Sequence, residues 1–95
     1  MSSFDDYVAT LEQSGTDEDH RLLEEARARF RLASQLIDIR SARGLTQREL
    51  GRASGIPQSE ISRIESGLAN PTLKTLNLLG SSLGVELALN EPAAQ

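Results

Sequence analysis

The sequence predicts an all-α fold, a bundle of four to five helices with an N-terminal extension and one short C-terminal strand. Three observations carry that expectation. Aromatic residues make up 3% of the 95 residues and apolar residues 38%, so the core must be assembled from Leu, Ile and Ala, which favours packed helices over aromatic-rich strands. Apolar side chains recur every three or four positions over most of the chain. Single glycines and prolines then interrupt that rhythm where helices would end. The length fits one domain, and so small a domain buries a modest share of its surface, which makes self-association a reasonable supplement.

Each element follows from local chemistry. Phe4, Tyr7, Val8 and Leu11 are spaced as one face of a short helix that Ser14-Gly15 ends. Alone it is too short to persist in water, so it must dock on its own domain, a twin subunit or a partner. Thr16 offers an N-cap, and Asp17, Glu18 and Asp19 suit the positive end of a helix dipole. From there to Arg43 the pattern is helical, with Leu22, Ala26, Phe30, Ala33 and Ile37 as its apolar stripe, widened by Leu23 and Leu36. One long helix fits, or two with a break near Ala28–Arg31. Arg27, Arg31, Gln35 and Asp38 take the opposite side, and Gly44 is the stop.

Thr46 with Glu49 forms a capping box, flanked by Leu45 and Leu50 as a hydrophobic staple. This helix ends at Ser54-Gly55. Pro57 suits the first turn of the next, which runs to about Ser66 and is stopped by Gly67. The turn Asn70-Pro71-Thr72 caps a helix over 73–83 with Leu73, Leu76, Leu79 and Leu83 as its buried stripe. Beyond Gly84, Val85, Leu87 and Leu89 alternate with Glu86 and Ala88, a period of two that predicts a strand over 85–89. The organisation is thus an arm at 1–15, a helical domain at 16–84 and a strand with a tail at 85–95.

Composition excludes several classes. With no cysteine there is no disulfide framework and no thiolate chemistry. The N-terminus lacks the pattern of a signal peptide, and no apolar run approaches the roughly 20 residues that span a membrane, so the chain reads as cytoplasmic. His20 is the only histidine and sits in an acidic turn, the carboxylate pairs have no pocket, and the glycines form no phosphate loop. No enzyme, metal site or cofactor is indicated. The net charge of −4 is unevenly held: residues 1–25 sum to −7 and residues 26–95 to +3. Such a split suggests two surfaces with different partners.

The stretch TQRELGRASGIPQSEISRIESG, residues 46–67, reads as two short helices joined by a tight turn. At 100° per residue, Ile61 and Ile64 of the second helix face a core. Ser59, Ser62, Arg63 and Ser66 fall on the far arc, with Gln58 and Glu60 on its flanks. A helix of this size fits the major groove, where Gln pairs with adenine and Arg with guanine through two hydrogen bonds each. Arg48 and Arg52, four apart on the first helix, are placed for phosphates.

Residues 40–84 resemble the helix-turn-helix family of phage repressors (Cro/C1-type) and xenobiotic-response-element-type regulators, through G-L-T-Q-x-E-L, G-I-P-Q-S-x-I-S-R-I-E-x-G, N-P-T-L and L-G. The resemblance implies a repressor-like bundle with Gln58, Ser59, Ser62 and Arg63 at base edges and Gln47 at a phosphate. It also implies a structural ion pair between Arg40 and Glu65. The chain departs from the pattern at Pro57, where many members have a Ser or Thr cap, and at Leu68-Ala69-Asn70, where many carry a base. Glu60 adds a negative charge at a groove-facing flank, although near a helix start it suits the dipole and can accept from a cytosine amino group. So few phosphate contacts imply weak binding by one copy, which a homodimer reading two half-sites about 34 Å apart on double-stranded operator DNA would remedy.

Over residues 16–89 the chain also resembles HigA-like antitoxins: an acidic start, F-R-L-A-S-Q-L-I-D-I-R running into R-G-L-T-Q, and a leucine-alternating end. That resemblance implies a small basic ribonuclease toxin of the RelE/HigB type as partner, held by the acidic arm with Phe4, Tyr7, Val8 and Leu11 as apolar anchors. The alternative is a stand-alone transcriptional regulator whose arm serves dimerisation.

Overall fold

The computed structural model describes residues 4–92, apart from the side chains of Phe4, Leu11 and Ser14. Five helices follow one another: α1 (Phe4–Ser14), α2 (Asp17–Ala42), α3 (Gln47–Ser54), α4 (Gln58–Glu65) and α5 (Leu73–Leu83). Three threonines start three of them: the hydroxyls of Thr16, Thr46 and Thr72 accept from the backbone N–H of Asp19, Glu49 and Thr75. α2 runs its 26 residues without a break. Arg43 follows its last turn and donates through Nε to the Leu83 carbonyl at 2.8 Å, tying the end of α2 to the end of α5.

The core lies where α2, α3, α4 and α5 meet. Leu36, Leu50, Ile56, Ile61, Ile64, Leu79 and Leu83 form one buried cluster, with Leu32, Ile39, Leu45, Ala69 and Val85 packed against its edge. Leu50, Ile61 and Ile64 are sealed from solvent. Leu23 and Ala26 are buried outside that cluster, on the half of α2 against which α1 folds back, marked by the Arg27–Glu12 ion pair at 3.1 Å. The molecule is therefore longer than a sphere of its length. Its radius of gyration is 15.0 Å, against about 12 Å for a compact 95-residue chain.

Three expectations are corrected. Residues 85–89 are not a strand. Val85 donates to the Gly80 carbonyl at 2.9 Å, and no described segment pairs with the residues that follow. Alternation makes a strand only where a second strand supplies the ladder, so here it leaves Leu87 exposed and Leu89 fully so. In α2 the buried stripe is Leu23, Ala26, Ala33 and Leu36, whereas Leu22 and Phe30 are exposed and Ile37 is half-buried. The helix serves α1 with one half and the main core with the other, so its covered arc shifts along its length. Leu73, the first residue of α5, is 68% exposed because it precedes the part of the helix that reaches the core.

Candidate nucleic-acid interface

α3 and α4 are held at a close crossing by the turn between them. Thr46 and Glu49 cap α3 reciprocally: the Glu49 amide donates to Thr46 Oγ1 at 3.0 Å and the Thr46 amide to Glu49 Oε1 at 2.9 Å. The hydrogen bond from the Thr46 amide, and after it one from the Thr46 side chain, hold the Glu49 carboxyl below the usual glutamate range. At the far end the buried Ser54 hydroxyl accepts from the Ile56 amide at 3.1 Å, and Ile56 drops into the core. Gly51 makes the approach possible, since a Cβ there would stand 2.9 Å from the Ile56 carbonyl oxygen.

Pro57 occupies the N-cap of α4, one position before the first turn that the sequence suggests. Its carbonyl accepts from the amides of Glu60 and Ile61, while its side chain gives no capping bond. Ile61 and Ile64 anchor the inner face. Gln58, Ser59, Ser62, Arg63 and Ser66 are exposed on the outer face, and Glu60 is half-buried. The helix ends in a Schellman motif, with Leu68 N–H to the Arg63 carbonyl and Gly67 N–H to the Ile64 carbonyl. Gly67 takes φ +77° there, a conformation a side chain would strain.

A polar chain runs from beneath α4 to its first residue. Arg40 donates through Nε to Glu65 Oε2 at 2.7 Å, through Nη2 to Glu65 Oε1 at 2.8 Å and through Nη1 to the Leu45 carbonyl at 2.7 Å. Gln47 Nε2 donates to Glu65 Oε1 at 3.0 Å, and Gln47 Oε1 accepts from Gln58 Nε2 in a long bond of 3.4 Å. Burial alone would raise the Glu65 carboxyl. The hydrogen bonds from Arg40 and Gln47, with the Arg40 charge, outweigh it and hold the group below its ordinary value. The Arg40 guanidinium is raised in turn by the same partner. The amides of Gln47 and Gln58 are thereby oriented from the core outwards.

Arg48 and Arg52 are exposed on α3 and line one shallow concavity with Gln58 at the helix junction. The structure thus gathers Gln47, Arg48, Arg52, Gln58, Ser59, Ser62 and Arg63 around α3 and α4. The apolar anchors of the arm are elsewhere, on α1: Tyr7 is exposed and Val8 half-buried, and the side chains of Phe4 and Leu11 lie outside the described residues. Among the contacts that escape sequence reasoning are Gln47 to Glu65, and Arg29 Nε to the Gly67 carbonyl at 3.2 Å. Neither has a local signal, because the partners stand 18 and 38 residues apart.

Comparison with known proteins places this geometry among relatives. A helix-turn-helix family model, HTH_3, matches residues 36–90. An uncharacterized HTH-type transcriptional regulator of Haemophilus influenzae is 39% identical over 67 residues, which cover 70% of this chain and 68% of that protein. A second, y4dJ of Sinorhizobium fredii, is 41% identical over 54 residues, covering 57% of this chain and 70% of its own. Among solved structures, an HTH_3 family transcriptional regulator from Vibrio cholerae aligns with a TM-score of 0.63 and 27% identity over 65% of this chain. The chain spans 35% of that larger protein. Among the described residues no helix is long and apolar enough to cross a membrane.

Proposed function

The chain belongs to the HTH_3 helix-turn-helix family, whose members bind DNA rather than catalyse reactions, and on that premise we propose that it is a cytoplasmic transcriptional regulator that binds operator DNA as a two-fold dimer. The observation that carries this reading is the outer face of α4. It presents only hydrogen-bonding side chains, on a helix fixed from below by two sealed isoleucines and a bidentate ion pair. Such a face suits the major groove.

In this proposal Gln58 reads an adenine and Arg63 a guanine, with Ser59 and Ser62 beside them. Gln47, Arg48 and Arg52 meet the phosphates that flank the groove. Glu60 accepts from a cytosine amino group or stays at the rim. Two charged phosphate contacts per copy give little affinity, so repression needs two copies on two half-sites. The test is selection of duplexes from a random pool by the purified protein. Enrichment of a palindrome with half-site centres 10–10.5 base pairs apart supports the proposal, and enrichment of no sequence refutes it.

A second reading rests on the arm. Asp5, Asp6, Glu12, Asp17, Glu18, Glu24 and Glu25 are all exposed on the hairpin of α1 and α2, a surface suited to a small basic ribonuclease toxin. The relatives are named as transcriptional regulators, which favours the first reading. Co-purification with the product of a neighbouring basic reading frame supports the antitoxin reading; undiminished capture after deletion of residues 1–15 removes the arm from it.

A further inference from the structure

Resting on the DNA-binding reading, we infer that Arg29 is a positioning residue of the DNA interface, although it lies upstream of the family-matching region 36–90. Its Nε–H donates to the carbonyl of Gly67, the residue that closes the Schellman motif after α4. Phe30, the next residue of α2, lies against the same turn, since a Cβ on Gly67 would be 3.9 Å from Phe30 Cδ2. The last residue of α4, Glu65, is already tied to α2 by Arg40, and the chain through Gln47 to Gln58 carries that tie to the N-terminal end; Arg29 adds a second tie from α2, to the turn that follows α4.

The turn itself explains why such a clamp matters. Gly67 sits at φ +77° and is followed by Leu68, exposed at 68%, so little packing fixes it from outside. The charged donor is half-buried, where a hydrogen bond is stronger than in open water. Arg63 and Ser62 lie in the last turn of α4, within five residues of Gly67. Their angle toward base edges follows the turn. Arg29 also belongs to the same uninterrupted helix that carries α1, so the hairpin and the reading helix share one rigid reference.

Two variants separate positioning from charge. Arg29→Gln keeps an N–H donor at the same place along the side chain and removes the charge, whereas Arg29→Ala removes both. On the duplex that the wild-type protein selects from a random pool, Arg29→Ala should bind about tenfold more weakly. Its discrimination should fall at the base pairs read by Arg63 and persist at those read by Gln58. Arg29→Gln should stay within about twofold of wild type, and neither variant should change the salt slope. Independently of DNA, exchange of the Gly67 and Leu68 amides should quicken about tenfold in Arg29→Ala and not in Arg29→Gln, with the Leu50 amide unchanged in both. Equal impairment of both variants with a salt slope lower by about 0.9 means a direct phosphate contact and overturns the inference, as does wild-type behaviour of Arg29→Ala. A wild-type protein that selects no duplex sinks the DNA-binding reading instead, and the exchange experiment still decides the clamp.

Discussion

Glu65 is the residue on which the candidate interface turns, because it is the buried acceptor of both Arg40 and Gln47. Removing one partner leaves the other charge buried without its counter-charge. Arg40→Ala is therefore expected to cost about 3–5 kcal/mol, measured by urea denaturation. The pH dependence has a definite sign. The folded-state pKa of Glu65 is depressed, so its stabilisation is complete above the ordinary glutamate range and disappears as pH falls through the lowered value. Thermal melting below the ordinary range should accordingly steepen in the wild type, and Glu65→Gln should flatten that limb while lowering stability at neutral pH. The pairing partner Arg40 was legible in the sequence through the resemblance of residues 40–84. The Gln47 contact was not, because a side chain at a helix start has no local feature that distinguishes an outward amide from one bonded inwards.

At the level of elements, helix ends were the most legible feature. Thr16, Thr46 and Thr72 act as caps through bonds that span three residues, and such short-range chemistry is written in neighbouring positions. What the local pattern could not give was the context of a face. Val85, Leu87 and Leu89 alternate as a strand would, yet without a neighbouring strand the alternation has no ladder to join. Leu22 and Phe30 belong to a helical stripe, yet α2 covers different arcs against α1 and against the main core. The close crossing of α3 and α4 gives a sharp prediction. Gly51→Ala places a methyl 2.9 Å from the Ile56 carbonyl, which is backbone and has little room to move. A loss of about 1–3 kcal/mol is expected, read by the same denaturation. Leu89→Ser, on a fully exposed side chain, should change stability by less than about 0.5 kcal/mol.

Across the whole molecule, charge and shape divide together. The residues that sum to −7 occupy α1 and the start of α2, whereas α3 and α4 balance Arg48, Arg52 and Arg63 against Glu49, Glu60 and Glu65, the last of them buried against Arg40. An acidic chain can thus offer DNA a neutral to basic face. If the proposed dimer makes two charged phosphate contacts per copy, its log–log salt slope should be near −4, at about 0.9 per phosphate; a slope near −10 would mean that other cations take part. The most direct measurement is repeated selection of duplexes with wild-type protein and with Arg63→Ala. The proposed reading helix requires that the wild type enrich a two-fold site and that Arg63→Ala lose preference for guanine at one position of each half-site, with about 1–3 kcal/mol less affinity for the original duplex. Identical sites and affinities for the two proteins would show that α4 does not read the bases.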